Sequence, residues 1–146
     1  MSPNNSKIVH YGITDPAVLA WYSLASVHRV RWRAYEHGIK DQIISTHSGR
    51  VFEQFVRDSL PGAQRYWNSN TEIDLVLSSG KECIIGEIKW AKLAKGETSK
   101  LLATLQRKLT NSAPVLLSSK GQIILKIYDQ SFLKSGEAVV SEAYRP

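Results

Sequence analysis

The chain predicts an α/β fold: a mixed central sheet with helices on both faces, preceded by an N-terminal helix. Three observations predict it. Apolar residues recur at helical spacing in residues 17–32, 52–60 and 101–109. Short β-branched runs alternate in residues 71–78, 83–90 and 122–128. The resulting order, helix, helix, three strands, helix, strands, suits a sheet covered on both sides.

The elements follow in chain order. Residues 1–14 read as frayed or extended. Asp15 followed by Pro16 marks a helix start, an N-cap acceptor before proline at the first helical position. Val18, Leu19, Trp21, Tyr22, Ala25 and Trp32 then give an amphipathic helix ending near Gly38. Its second half, with Arg29, Arg31 and Arg33 around Trp32, is basic; it is either a solvated face with a packed tryptophan or a surface that tracks phosphates. Residues 41–47 read as a connector or short strand. Ser48 is placed to cap a second helix over 49–60, stopped by Pro61 and Gly62, with Phe52, Phe55, Val56 and Leu60 as its apolar stripe. Glu53 sits beside that stripe. Residues 63–67 form a first strand, 71–78 and 83–90 a hairpin, and 91–96 a basic loop. A helix over 98–110 buries Leu101, Leu102, Leu105 and Leu109, with Lys100, Arg107 and Lys108 outside. Residues 115–118 and 122–128 read as strands, and 138–141 as an edge strand.

Composition narrows the function. At 146 residues and 42% hydrophobic, one domain with a sizeable core is expected, with residues 1–47 as a helical arm and 48–146 as the core. A net charge of +6 favours acidic partners, nucleic acid first. The single cysteine, Cys83, excludes an internal disulfide and a cysteine-rich zinc site, and reads as strand packing in a reducing compartment. No apolar run has membrane length and no signal-peptide pattern opens the chain, so a cytoplasmic protein is expected. No G-x-x-x-x-G-K-[ST] loop is present to bind a nucleotide by that route.

The hairpin register carries the chemistry. With Ser79 and Gly80 at a two-residue tip, Ser78 pairs with Lys81, Val76 with Cys83, Asp74 with Ile85 and Glu72 with Glu87. Ile73, Leu75, Leu77, Ile84, Ile88 and Trp90 then share a dry face. Glu72, Asp74, Val76, Cys83, Ile85, Glu87 and Lys89 share the other. Glu87 lies diagonal to Asp74, Lys89 follows on the same side, and Glu72 faces Glu87, an arrangement that repels. Three acids against one lysine leave negative charge that a hard divalent ion would neutralise, since carboxylates, waters and phosphate oxygens are what Mg²⁺ takes. Alternatively, Glu87 and Lys89 are ordinary residues on the solvent side of the sheet. Val76, Cys83 and Ile85 on the same face argue instead that it is covered.

An aspartate, twelve residues, then E-x-K, after a helix bearing an acid, resembles the PD-(D/E)xK phosphodiesterase superfamily of restriction endonucleases, Holliday-junction resolvases and RecB-like nucleases. Residues 49–53, 66–67, 72–74 and 86–90, with residues 15–22 upstream, resemble the C-terminal domain of a family of archaeal P-loop ATPases, which is itself PD-(D/E)xK-like. The likeness runs from about Tyr11 to Leu117. Ile73 stands where the superfamily name has proline. The resemblance implies a restriction-endonuclease-like three-layer α/β/α fold. It implies Asp74 and Glu87 as ligands of Mg²⁺ or Mn²⁺, Lys89 as the residue that orients or activates water, and Glu53 as a helix acid supporting the metal. It places Gln106 as a supporting polar residue.

The function expected is a metal-dependent nuclease that hydrolyses DNA phosphodiester bonds, including the structure-specific option of junction or branched DNA. Arg29, Arg31, Arg33, Lys92, Lys95, Lys100 and Lys120 are its candidate phosphate contacts. The rival expectation is a non-catalytic DNA-binding module, or a partner of a P-loop ATPase, that keeps the nuclease fold. In that reading the basic helix and Trp21, Trp32, Trp67 and Trp90 do the binding. A homodimer is a further expectation, with residues 122–128 as the edge strand that would form it.

Overall fold

A computed structural model describes residues 15, 17–18, 21–22, 37–112, 116 and 121–144. Two compact units divide between His47 and Ser48. In the first unit, Asp15 Oδ1 accepts the backbone N–H groups of Ala17 (2.8 Å) and Val18 (2.9 Å), the capping role expected of it. Trp21 and Tyr22 are more than half exposed. The rest of the expected first helix, with Arg29, Arg31, Trp32 and Arg33, lies outside the described residues.

Helix α1 spans His37–Asp58. The expected connector over 41–47 is therefore helical, Gly38 lies inside the helix rather than at its predecessor's end, and Ser48 is interior rather than a cap. Ile43, Ile44 and Thr46 suggested a strand, but no proline or glycine separates Lys40 from Ser48, so nothing stops propagation. Thr46 Oγ1 turns back onto the Gln42 carbonyl at 2.9 Å, which satisfies its hydroxyl within the helix.

The second unit is a five-stranded mixed sheet in the order β1–β2–β3–β4–β5. Its strands are β1 (Gln64–Trp67), β2 (Glu72–Ser79), β3 (Glu82–Ile88), β4 (Gln122–Tyr128) and β5 (Val140–Ala143). Helix α2 (Lys95–Ser112) connects β3 to β4, and the single turn α3 (Phe132–Ser135) precedes β5. Only β3 and β4 run parallel, and α2 is the crossover that such a pair needs. Glu97 starts α2 by accepting the Ala94 N–H at 2.8 Å, the reciprocal half of a capping box. Of residues 115–118, expected as a strand, only Leu116 is described, in a single 3₁₀ position. Strand β4 is interior, between β3 and β5, so it offers no edge for a dimer.

Two apolar clusters make the three layers. On one face Phe52 and Val56 of α1 pack with Leu75, Ile88, Tyr128 and Phe132. On the other, Leu102, Leu105 and Leu109 of α2 pack with Ile73, Cys83, Ile85, Ile123, Leu125 and Ile127. Cys83 is buried strand packing, as expected. Gly86 lies between the first cluster's members: a Cβ there would sit 3.1 Å from the Tyr128 ring and 3.3 Å from Leu75 Cβ.

The hairpin register differs from expectation by two residues. Val76 pairs with Ile85, Ser78 with Cys83 and Ser79 with Glu82, so the tip is Gly80–Lys81. Gly80 takes φ +58°, the positive angle a tight hairpin needs at its first central position. A two-residue slip preserves which face each β3 side chain occupies. Ile73 is the exception. Between the β1 pairs Gln64↔Val76 and Tyr66↔Ile73, β2 carries one extra residue, a β-bulge at Asp74 and Leu75. The bulge sends Ile73 to the α2 face and Leu75 to the α1 face, whereas strict alternation had put them together. Trp90, expected on the dry face, lies beyond β3, 38% exposed, with its ring 5.4 Å from that of Phe52.

Candidate functional site

The bulge also creates the site. The β2–β3 ladder ends at the Leu75↔Gly86 pair, which leaves the Ile88 N–H facing β2 without a main-chain acceptor there. Asp74 Oδ2 takes that N–H at 2.9 Å. The Asp74 carbonyl, displaced by the same bulge, accepts from Arg57 Nη1 at 3.1 Å. Asp74 is thus buried, at 7% exposure, with both its carboxylate and its carbonyl assigned a partner.

Glu87, also 7% exposed, projects from β3 toward α2. Each of its oxygens accepts from a different ammonium: Oε1 from Lys89 Nζ at 2.7 Å and Oε2 from Lys108 Nζ at 2.8 Å. Lys89 Nζ also lies 3.8 Å from Asp74 Oδ2, so one cation spans both carboxylates. Glu53 stands beside them on α1, ion-paired with Arg57 at 3.9 Å. Of the four expected site residues, Lys89 thus joins Asp74 and Glu87, and Glu53 is near enough to feel the charges of Asp74 and Lys89.

Burial and mutual repulsion set the ionisation. Burial raises the Asp74 carboxyl above its usual range and Glu87 raises it further, while the Ile88 N–H and the two lysines pull it back. Burial would raise Glu87 as well, but the hydrogen bonds from Lys108 and Lys89 outweigh it and hold Glu87 below the usual range. Glu53 is raised by burial and by Asp74. Burial works against the Lys89 ammonium, yet its bond to Glu87 and the charge of Asp74 keep it protonated. Two adjacent carboxyls pushed in opposite directions is an arrangement found at acid–base sites, and structural ion-pair networks produce it too.

Carboxylates are the donor type that a hard divalent ion takes. Among the described residues no three Asp, Glu, His or Cys side chains form a group that could hold a metal by themselves. Asp74 and Glu87 stand instead as a pair, and one or two carboxylates completed by waters and substrate phosphates is how Mg²⁺ is commonly bound.

Several expectations are placed elsewhere. Glu72 does not face Glu87: it pairs with Trp67 across β1 and binds Arg65 on the surface. Gln106 is exposed and lines a depression with Leu102, Leu125 and Glu142. Lys92, Lys95 and Lys100 are exposed on the loop and the start of α2. Lys120 lies outside the described residues. Two residues that shape the site were not foreseen. Lys108, expected outside, follows Leu105 by three and Leu101 by seven, spacing that puts it at the margin of the buried stripe. Arg57 follows Glu53 by four, which gave the same signal.

The loop after β3 is tied to β4. Lys89 N–H donates to the Tyr128 carbonyl at 2.9 Å, Gln130 N–H to Ala91 at 3.0 Å, and Leu93 N–H to Asp129 Oδ2 at 2.9 Å. Burial would raise the Asp129 carboxyl, but bonds from Ser131 and Leu93 hold it low. The first of these bonds holds the Lys89 backbone, and the other two hold the loop that follows it.

Comparison with known families matches residues 23–101, just over half of the chain, to DUF234, described as archaea bacterial proteins of unknown function. No curated protein and no solved structure matches the chain significantly. The matched span contains α1, β1, β2, β3 and the start of α2, and with them Glu53, Asp74, Glu87 and Lys89.

Proposed function

Because the chain belongs to DUF234, a family whose function is unknown, the site itself must supply the reading, and we propose a metal-dependent nuclease of the PD-(D/E)xK kind that hydrolyses DNA phosphodiester bonds. One observation carries it: Asp74 and Glu87, both buried and brought within reach of a single Lys89 ammonium. Asp74 and Glu87 would hold Mg²⁺ or Mn²⁺, with Glu53 supporting them. Such an ion polarises a phosphoryl oxygen and lowers the pKa of a bound water. Lys89, kept protonated between the two carboxylates, orients that water and offsets the charge that develops on the phosphate. The bond from its backbone N–H to the Tyr128 carbonyl fixes the point from which its side chain extends. Lys92, Lys95 and Lys100 lie exposed along the following loop and helix, where they contact phosphates without reading bases.

The test is a cleavage panel of single-stranded, duplex, flap and four-way DNA with and without Mn²⁺, comparing the wild type with Asp74→Asn. Cleavage that needs Mn²⁺ and is lost in the variant supports the reading. Equal cleavage by the two proteins sinks it.

A second reading has its own observation. Glu87 already carries an ammonium on each oxygen, so an ion must compete with two lysines for it. That favours a non-catalytic module retaining the fold, which binds DNA or a P-loop ATPase. Salt-sensitive DNA binding that EDTA leaves unchanged, with no Mn²⁺ affinity, would identify it.

A further inference from the structure

Lys108 has no part in the nuclease reading so far, yet it holds one oxygen of Glu87, which is buried together with Asp74. The charges around that pair balance. Glu53, Asp74 and Glu87 face Arg57, Lys89 and Lys108. A divalent cation entering alone would leave a half-buried cluster with two surplus positive charges, which is costly away from bulk water. A phosphodiester arriving with it supplies one of the compensating negative charges.

The three cations are not equally free to adjust. Arg57 is pinned by the Asp74 carbonyl and by Gln54. Lys89 spans two carboxylates and its backbone is tied to β4. Lys108 makes one bond of this kind, to Glu87 alone, from a flexible stem on α2. An ammonium on such a stem can leave one acceptor for another at little conformational cost.

We propose that Lys108 couples metal binding to substrate binding: it neutralises Glu87 in the free protein and transfers its ammonium to a phosphate oxygen when a divalent ion and a phosphodiester enter together. The step is an exchange of ion pairs, with no covalent bond made or broken. The proposal rests on the nuclease reading.

The experiment is Mn²⁺ titration of the full chain by electron paramagnetic resonance, with and without a phosphorothioate duplex as a slowly cut probe. Wild type, Lys108→Met and Lys108→Arg are compared, with Lys108→Gln as a second neutral variant should the methionine variant fold poorly. Wild type is expected to bind Mn²⁺ weakly alone and roughly tenfold more tightly with the duplex. Lys108→Met should bind Mn²⁺ tightly without the duplex, so that the coupling shrinks, and Lys108→Arg should restore the coupling. The same Mn²⁺ affinity and coupling in wild type and in the neutral variants overturns the role of Lys108 and leaves the nuclease reading standing. An absence of Mn²⁺ binding in every protein, with or without duplex, overturns both.

Discussion

Asp74 has two jobs that substitution can separate. Its carboxylate is a candidate metal ligand, and it is also the acceptor that the broken β2–β3 ladder fails to give the Ile88 N–H. Asp74→Ala removes both. A buried donor left without a partner costs about 1–3 kcal/mol. Relief of repulsion with Glu87 offsets a part of this, so a net loss of about 2 kcal/mol is expected. For a chain of this size about 4 °C accompanies each kcal/mol, so the melting temperature should fall by roughly 8 °C. Asp74→Asn keeps an oxygen where Ile88 needs one and sheds only the charge. Its stability should stay within about 1 kcal/mol of wild type, because the lost attraction to Lys89 and the relieved burial of a charge oppose each other. Urea denaturation followed by circular dichroism gives both stabilities, and the Mn²⁺ cleavage assay on the same preparations gives activity. The expected outcome is a stable but inactive asparagine variant beside a destabilised alanine variant. If asparagine destabilises as much as alanine, the bond to Ile88 is not what Asp74 supplies to the fold, and the account of the bulge fails.

Two further outcomes follow from the same geometry. Glu87, held below its ordinary 4.5 because the bonds from Lys108 and Lys89 outweigh its burial, adds stability that is present above that value and is lost as the pH falls through its lowered one. Asp74, raised above 3.8 by burial and by Glu87, acts oppositely: its penalty is relieved as the pH falls through its raised value. In metal-free buffer between about pH 5 and pH 3, the urea midpoint of Glu87→Gln should therefore fall less than that of wild type, and that of Asp74→Asn more; identical slopes for the three would contradict the opposed shifts. Gly86→Ala places a Cβ 3.1 Å from the Tyr128 ring and 3.3 Å from Leu75 Cβ, where neither side has slack, and should cost about 1–3 kcal/mol in the same urea measurement; no loss would mean that this face repacks freely.

The helices and strands of the second unit were legible because their periods were clean. The alternation in 83–88 and the leucine spacing in 101–109 each had one reading, and both faces of the sheet followed from them. Residues 41–47 were misread because Ile43, Ile44 and Thr46 prefer strands when considered locally, whereas a helix already running through them extends at small cost. The hairpin slipped by two because Ser79–Gly80 and Gly80–Lys81 are both acceptable turns, and side-chain alternation cannot tell them apart. The bulge was invisible for a related reason. Ile73 and Leu75 are both apolar, and both faces of this sheet are dry, so no polarity pattern marks the point where one of them changes sides. Lys108 was missed because a lysine beside a leucine stripe is ordinarily solvated.

The bulge bears on which acid function has to explain. Asp74 is buried because the backbone requires an acceptor at the place where the ladder breaks, so its position is accounted for by folding alone. Glu87 has no such duty. Strand β3 pairs with β4 through main-chain groups, and the Glu87 carboxylate bonds two lysine side chains, one from the following loop and one from α2. A buried carboxylate neutralised by two lysine ammonium groups is a poor way to stabilise a sheet, since an apolar residue of similar volume packed under α2 would avoid the desolvation of the carboxylate. Ile85 and Ile127, its neighbours on that face, show that the position is otherwise suited to one. An apolar residue would therefore serve the fold better than Glu87, Lys89 and Lys108 together, and it is this cluster that the proposed metal site would explain.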